Sequence, residues 1–293
     1  MVKILLTGAT GFLGSHLLKE LLEKHYNIII LKRSFSNTFR INEELMNSKI
    51  KSYDIDQTSL NTIFRENDID IIIHCATNYG RNNENIPNIV DANLRMPLLL
   101  LQLAAKHNVK AFINTDTVID KKISHYSLSK KQFLDWLEIY SDKIKCINLR
   151  LEHFYGAFDN KTKFSTYMIQ SMLNNVEEID LTGGEQRRHF IHIKDVVKAF
   201  MKIISNIDNI KENFKTFEIS IDETISIKDF VLMIKELTGN TITRLNFGVI
   251  PYRENEIMDI KTDITELKKL GWEPEIGLRE GINNTINLEK SAL

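Results

Sequence analysis

The chain has 293 residues, of which 43% are hydrophobic and 26% charged, with 38 basic and 39 acidic residues and a net charge of −1. This balance favours neither nucleic acid nor an anionic membrane surface as a partner. No apolar stretch is long enough to span a membrane, and the N-terminal apolar run is too short for a signal peptide. Cys75 and Cys146 lie in apolar runs and are expected to be reduced core thiols, so we expect a cytoplasmic protein.

Short apolar runs alternate with helical patterns through the first half of the chain. Strands are predicted at residues 2–6, 27–31, 50–53, 69–73, 109–114 and 144–149. Helices are predicted at 12–24, 59–66, 87–107, with Pro97 tolerated as a bend, and 124–140. Nearly all-apolar strands that alternate with helices indicate a buried parallel sheet, and hence a doubly wound α/β (Rossmann) fold.

The alternation becomes less regular after about residue 150. Helices are predicted at 164–174, 194–205, 227–237 and 262–270. Ser226 and Thr262 are the expected N-caps of the last two, and Asp229 completes a capping-box pattern with Ser226. We therefore predict a dinucleotide-binding domain over residues 1–160 and a smaller α/β substrate lobe over 161–293, with some segments returning to the main sheet.

A glycine-rich loop, TGATGFLG at residues 7–14, joins the first predicted strand to the first helix. Gly8 would permit a tight turn, Gly11 would let the backbone approach a pyrophosphate, and Gly14 would let helix and strand pack closely. N–H groups at the helix start would then face the phosphates. A glycine-rich structural turn is the alternative. The loop residues expected to contact a dinucleotide are Gly8, Thr10, Gly11, Phe12, Leu13 and Gly14.

The end of the second predicted strand indicates which dinucleotide binds. An acidic residue at this place would bind the ribose 2′-hydroxyl of NAD, but the sequence is LKRS, at residues 31–34. Arg33, with Ser34 beside it, can clamp a 2′-phosphate, which favours NADP(H) and leaves NAD(H) as the alternative. Asp54 is a candidate acceptor for the adenine amino group with Ile55 beside the ring, or else a turn aspartate.

Tyr126 and Lys130 have Y-x-x-x-K spacing, which places them on one face of a helix. A lysine ammonium next to the phenol is expected to lower the pKa of Tyr126 and make it a general acid or base. The spacing is weak by itself, but it occurs just after the fifth predicted strand, where Thr115 could donate a hydrogen bond to a substrate oxygen. Asp116 is expected either to assist proton transfer or to cap the neighbouring turn.

The glycine loop, the NTDT strand end at 114–117 and the YSLSK helix at 126–130 resemble the extended short-chain dehydrogenases/reductases, the NAD(P)-dependent epimerase/dehydratase family. Segments 149–156, 184–195, 251–256 and 270–274 extend the resemblance over nearly the whole chain. The resemblance implies that Thr115, Tyr126 and Lys130 are catalytic. It also implies cofactor contacts from Cys75, Ala76, Thr77, Asn93 and Lys130, and substrate contacts from Asn78, Thr117, Arg187, Arg253 and Glu256.

Departures from the family pattern narrow the expected reaction. The 4,6-dehydratases carry a glutamate where this chain has Thr117, and the gap between Thr115 and Tyr126 is short for a 4-epimerase. The motifs are most similar to nucleotide-sugar 4-ketoreductases of the CDP-paratose and CDP-abequose synthase kind. We therefore expect an NADPH-dependent reductase of a nucleotide-linked 4-keto deoxysugar, such as a CDP-4-keto-3,6-dideoxyhexose, in surface polysaccharide biosynthesis.

Other interpretations stay open at this point. A nucleotide-sugar 4-epimerase or 4-dehydrogenase with tightly bound NAD is the main rival, and a non-catalytic cofactor sensor is a rival from another class. A homodimer through residues 87–107 and 124–140 is implied by the resemblance alone. No metal is expected, because no cysteine or carboxylate set accompanies His189 and His192.

Overall fold

The computed structural model describes residues 2–81 and 84–291. Its strands are β1 Lys3–Thr7, β2 Asn27–Lys32, β3 Ile50–Asp54, β4 Ile71–His74, β5 Ala111–Thr117, β6 Lys145–Leu151, β7 His153–Tyr155, β8 Glu178–Leu181, β9 Arg187–Arg188, β10 Phe190–His192, β11 Phe214–Ile219, β12 Ile225–Ser226 and β13 Arg244–Phe247. Its α-helices are α1 Phe12–Glu23, α2 Leu60–Glu66, α3 Ile86–Val90, α4 Met96–Lys106, α5 His125–Tyr140, α6 Phe164–Leu173, α7 Ile193–Ser205, α8 Ile227–Thr238, α9 Thr265–Lys269 and α10 Leu278–Ser291.

The main sheet has seven strands in the order β11-β6-β5-β4-β1-β2-β3, and the neighbours from β3 to β6 pair in parallel. Consecutive strands run outward in both directions from β1, as in a doubly wound fold. The expected α/β Rossmann fold is therefore confirmed. The chain divides into two units, Met1–Leu151 with Ala199–Phe217, and Glu152–Lys198 with Glu218–Leu293. The assignment of cofactor binding to residues 1–160 and of substrate binding to 161–293 stays a prediction.

The central strands are buried along almost their whole length, as their apolar sequences predict. The register brings their carboxyl ends together: Thr7 of β1 pairs with His74 of β4, which pairs with Asn114 of β5. The residues that follow these three strands therefore share one edge of the sheet. In open α/β sheets this is the edge where ligands bind.

The predicted helix at 87–107 contains an irregular turn. It comprises α3, a π-helical turn at Asp91–Arg95 and α4, and the N–H of Met96 donates to the carbonyl of Asp91 five residues earlier. Pro97 lies directly after this turn, in the first turn of α4. Because proline lacks an N–H and crowds the preceding helical turn, the widened turn lets the chain continue as a helix past it.

One of the two predicted helix N-caps in the second unit is correct and the other is wrong. Ser226 is the N-cap of α8, as predicted, and accepts a hydrogen bond from the N–H of Asp229 at 3.0 Å. Thr262, however, is not the N-cap of α9, because the Asp263 carboxylate accepts the N–H of Thr265 at 2.9 Å and the helix begins later.

Within residues 2–81 and 84–291, no helix has both the length and the apolar character that are needed to cross a bilayer.

Candidate active site

The glycine loop lies between β1 and α1, and its shape depends on the absence of side chains. Gly8 has a φ of +73°, and a Cβ there would lie 2.6 Å from the nitrogen of Ala76. A Cβ on Gly14 would lie only 2.0 Å from the carbonyl oxygen of Gly8. Gly11 is the N-cap of α1, so the helix begins at the edge of the sheet described above. This cradle fits a dinucleotide diphosphate, because N–H groups of the first helical turn face it.

The hydroxyl of Thr7 fixes the segment after β4 beside this loop. It lies 2.8 Å from Nδ1 of His74 and accepts the N–H groups of Cys75 and Ala76 at 3.2 and 3.1 Å. Cys75 and Ala76, which were predicted as cofactor contacts, therefore lie directly against Gly8. Burial raises the pKa of the Cys75 thiol to about 12, so this cysteine is a packing residue and not a nucleophile.

The side chain of Asn93 fixes the segment after β4 by hydrogen bonds to Thr77 and Asn78. Its Oδ1 accepts the hydroxyl of Thr77 at 3.2 Å and the N–H of Asn78 at 2.8 Å. Its Nδ2 donates to the carbonyl of Asn78 at 2.8 Å and to the hydroxyl of Ser129 at 3.0 Å. These four bonds use the full capacity of the amide. Asn93 is therefore structural, and its side chain has no capacity left for a direct hydrogen bond to a cofactor.

The residues after β2 lie at the predicted adenosine end of the site. The guanidinium of Arg33 lies 4.8 Å from the ring centroid of Phe35, and both side chains are exposed. Asp54 forms an ion pair with Lys32, and Ile55 packs partly buried against the core. Ser34 donates its N–H and its hydroxyl to Asp56, at 2.8 and 2.5 Å.

Asp56 is a residue that the sequence analysis missed. The two hydrogen bonds from Ser34 lower the pKa of its carboxyl group, so Asp56 is ionised beside the predicted 2′-phosphate position. Its negative charge opposes a 2′-phosphate, whereas the guanidinium of Arg33 favours one. The only signal in the sequence is the place of Asp56, two residues after the end of β3.

Tyr126 and Lys130 lie in the first turns of α5. A capping box fixes the start of this helix: Ser124 Oγ accepts the N–H of Ser127 at 3.1 Å, and Ser127 Oγ accepts the N–H of Ser124 at 3.2 Å. Lys130 is 1% exposed, and its ammonium has no hydrogen-bond partner among the residues that the structure describes. An unpaired buried ammonium is costly unless a ligand completes it, and ribose hydroxyls would do so.

Burial dominates the electrostatics of this pair. It lowers the pKa of Lys130 to about 8, with the nearby carboxylate of Asp116 opposing the shift. It raises the pKa of Tyr126 above the ordinary phenol value, helped by Tyr79 and Asp116 and opposed by a hydrogen bond with Thr117 and by Arg81. The raised pKa of Tyr126 is opposite to the lowered value that the sequence predicted, because desolvation of the phenol dominates and Lys130 is not among the groups that shift it.

The end of β5 carries two hydroxyl side chains, Thr115 and Thr117, with the buried carboxylate of Asp116 between them in the sequence. Thr115 donates its hydroxyl to the carbonyl of His74 at 3.0 Å, whereas the hydroxyl of Thr117 accepts the N–H of Ile119 at 3.2 Å and lies near enough to Tyr126 to lower the pKa of the phenol. Asp116, between them, is near enough to the catalytic pair to raise the pKa of both Tyr126 and Lys130. Thr115 was predicted to supply the catalytic hydroxyl, but Thr117 is the threonine whose side chain shifts the pKa of Tyr126.

Tyr79 and Arg81 were also missed by the sequence analysis. The rings of Tyr79 and Tyr126 have centroids 5.0 Å apart with an interplanar angle of 39°, and the guanidinium of Arg81 lies 5.1 Å from the Tyr79 centroid. An arginine and a tyrosine thus line the phenol. Their place just after β4, at the ligand-binding edge of the sheet, is the signal that could have indicated them.

The second unit contains the residues predicted to bind substrate. Arg187 is exposed and donates to the hydroxyl and carbonyl of Thr224, at 2.8 and 2.6 Å. Arg188 is 9% exposed, and its guanidinium donates to Glu256 at 2.5 Å. Arg253 is exposed, and its carbonyl accepts the N–H of Glu256 at 3.0 Å. The structure therefore brings Arg188, and not Arg187, together with Glu256.

The histidines of this unit have structural surroundings. The two ring nitrogens of His189 lie 3.1 and 3.0 Å from the carbonyl oxygens of Glu223 and Ile260. Nδ1 of His192 accepts the N–H of Lys194 at 3.3 Å. In the described parts of the chain, no group of three or more His, Cys, Asp or Glu side chains has an arrangement that could hold a metal ion.

Residues 4–219 match the model of the NAD dependent epimerase/dehydratase family. The chain belongs to this family. It is 35% identical to a CDP-abequose synthase of Salmonella muenchen, over 98% of both chains, and 27% identical to a putative UDP-glucose 4-epimerase of Methanocaldococcus jannaschii, again over 98% of both.

Solved structures share the fold of the chain. A UDP-glucuronic acid 4-epimerase from Bacillus cereus, in complex with UDP-glucuronic acid and NAD, superposes with a TM-score of 0.86 at 23% identity over 100% of both chains. A UDP-glucose 4-epimerase from Thermotoga maritima with UDP-glucose gives a TM-score of 0.84 at 24% identity over 99% of both. The chain is thus an NAD(P)-dependent enzyme of the short-chain dehydrogenase/reductase type, and its relatives are nucleotide-sugar enzymes.

Proposed function

We propose that this enzyme reduces the 4-keto group of a nucleotide-linked deoxysugar, such as a CDP-4-keto-3,6-dideoxyhexose, with NADPH. The observation that carries the proposal is the arrangement at the end of β5. A phenol, Tyr126, lies near the hydroxyl of Thr117, which lowers its pKa, and precedes an unpaired buried ammonium, Lys130, by one helical turn. A hydroxyl stands at position 117, where elimination of water would need a carboxylate. The full-length similarity to a CDP-abequose synthase supports the same reaction class.

The protonation state of Tyr126 favours reduction. When bound, the nicotinamide supplies the hydride for the sugar ketone. Because burial raises the pKa of Tyr126, the phenol is protonated at neutral pH and can donate its proton to the oxygen that gains negative charge. Lys130 would bind the ribose next to the nicotinamide, and the hydroxyls of Thr115 and Thr117 would orient the carbonyl oxygen.

The preference for NADPH rests on the residues after β2. β2 itself ends without an acidic residue, and Arg33 offers an exposed guanidinium that can pair with a 2′-phosphate against the opposing charge of Asp56, which lies after β3. The glycine loop would hold the diphosphate. In the second unit, we propose Arg188, held by Glu256, together with Arg253 as the groups that recognise the anionic nucleotide of the substrate.

The test is a reduction assay with purified protein, NADPH and CDP-4-keto-3,6-dideoxyglucose, followed by the loss of NADPH absorbance. We expect turnover by the wild type and a loss of about 10²–10⁴-fold in kcat for Tyr126→Phe, the range for removal of a general acid. Tyr140→Phe, at the other end of α5, is the matched control and should keep the wild-type rate.

Two results would overturn the proposal. One is the absence of NADPH oxidation with the 4-keto sugar on any of the common nucleotide carriers. The other is release of NAD(H) on denaturation together with sugar inversion without net redox, which would identify a 4-epimerase instead. A Tyr126→Phe variant that keeps full activity would remove Tyr126 from the mechanism.

A further inference from the structure

A buried ion pair holds the backbone of Thr117 from both sides. The carboxylate of Asp116 accepts the N–H of Thr117 at 2.7 Å, and the ammonium of Lys131 donates to the carbonyl of Thr117 at 2.6 Å. The two side chains also pair with each other, with Nζ of Lys131 2.7 Å from Oδ2 of Asp116. Both polar groups of the Thr117 peptide are therefore bound to a charged side chain.

Neighbouring strands and helices fix the ion pair in place. Oδ2 of Asp116 also accepts Nδ2 of Asn148 from β6 at 3.2 Å, and Oδ1 of Asn148 accepts Nδ2 of Asn114 at 2.9 Å. The Asp116 side chain is 0% exposed and that of Lys131 is 21% exposed. The pair thus joins β5, β6 and α5 through charge-assisted hydrogen bonds in a water-poor region, where such bonds are strong.

We propose that Asp116 and Lys131 are positioning residues, which clamp Thr117 so that its hydroxyl meets the Tyr126 phenol. This inference rests on the proposed redox function of Tyr126 and Lys130. It decides between the two roles that the sequence left open for Asp116. A proton donor needs a free carboxyl oxygen, but both oxygens of this carboxylate are bound, Oδ1 to the N–H of Thr117 and Oδ2 to Lys131 and Asn148.

Asp116 and Lys131 also shift the pKa of Lys130, in opposite directions. Four groups face the Lys130 ammonium: His74 and Cys75 at the end of β4, Asp116 of β5 and Lys131 of α5. Burial keeps His74 neutral by lowering its pKa, and keeps Cys75 protonated by raising its pKa. Asp116 raises the pKa of Lys130 and Lys131 lowers it, so loss of either partner leaves the other uncompensated.

Lys131→Met, Asp116→Asn and the double variant test the clamp in two ways. The first readout is the pH dependence of NADPH affinity without substrate, measured by fluorescence. If the charged form of Lys130 binds the cofactor, affinity falls as the pH rises through the pKa of Lys130. The midpoint pH of this loss of affinity should be higher by about half to one pH unit in Lys131→Met and lower by a similar amount in Asp116→Asn. In the double variant it should lie near the wild-type value.

The second readout is kcat at saturating NADPH. Lys131→Met should lose at least about tenfold, because an uncompensated carboxylate pulls the Thr117 peptide out of place. Lys131→Arg should restore most of the loss, and the double variant should be about fivefold or more faster than Lys131→Met. KM for the sugar should change much less than kcat, since the clamp acts on the reacting groups.

The outcomes separate the clamp from the proposed function. If the wild type binds NADPH but reduces no nucleotide sugar, the proposed function fails, and the pH shifts of cofactor affinity still test the ion pair. If Asp116→Asn alone abolishes kcat and Lys131→Met does not, Asp116 is a proton donor and the clamp is wrong. Identical pH profiles in all four proteins would equally refute it.

Discussion

Replacement of Gly14 by alanine tests the shape of the cofactor cradle most directly. A Cβ at this position would lie 2.0 Å from the carbonyl oxygen of Gly8, so the backbone must move by at least about 1 Å to reach an acceptable contact. We estimate an overpacking cost of about 4 kcal/mol, because the obstructing atom is backbone and cannot rotate away. The better helix propensity of alanine returns about 1 kcal/mol, which leaves about 3 kcal/mol of destabilisation.

Gly11→Ala is the matched control, because its Cβ would face the same Gly8 oxygen at 3.2 Å. Its cost is about 1 kcal/mol, mainly from a poorer N-cap. At about 2 °C per kcal/mol for a chain of this size, Gly14→Ala should lower the unfolding midpoint by about 6 °C and Gly11→Ala by about 2 °C. Thermal unfolding followed by circular dichroism, without cofactor, measures both. A Gly14→Ala variant that melts at or above Gly11→Ala would refute the reasoning.

Three further substitutions test other contacts of the site. Arg33→Ala should weaken NADPH binding by about tenfold or more while NADH affinity changes by less than about twofold, and equal weakening of both would contradict a 2′-phosphate contact. Asn93→Ala loses four buried hydrogen bonds and should cost about 3 kcal/mol, seen as a drop of about 6 °C in the unfolding midpoint. Tyr79→Leu removes the ring beside Tyr126 and should lower kcat by up to about tenfold with NADPH affinity unchanged; unchanged kcat would exclude Tyr79 from the site.

The fold could be predicted where burial leaves a clear sequence pattern. The buried strands at 27–32 and 71–74 are nearly continuous in isoleucine, and the predictions fell within about two residues of their bounds. The edge strand β11 mixes Lys, Thr and Glu with phenylalanine and isoleucine, and only Phe217 and Ile219 are buried, so no apolar run marked it. Helix α10 was missed because its polar content hides a narrow buried stripe that includes Ile282 and Ile286.

The candidate site could be predicted down to residue types but not to orientations. The sequence assigned Arg187 and Glu256 to substrate binding, but only the course of β9 and β12 decides that Arg188 pairs with Glu256 while Arg187 binds Thr224. The pKa of Tyr126 depends on how much water the fold removes, and spacing alone carries no information about desolvation. Tyr79 was missed because it lies in a loop, and no sequence motif shows that the loop brings its ring next to Tyr126.

The π-helical turn at Asp91–Arg95 determines how the helical segment 86–106 would respond to the deletion of a residue. Each helical residue adds about 100° of rotation and 1.5 Å of rise. Removal of a single residue from the turn would let the helix relax to the regular α form, and the segments on either side would keep nearly the same phase, but the residues of the turn itself would change direction relative to Met96–Lys106. Asn93 could then no longer hold the backbone of Asn78, so the widened turn behaves as a one-residue spacer that sets the phase of the amide.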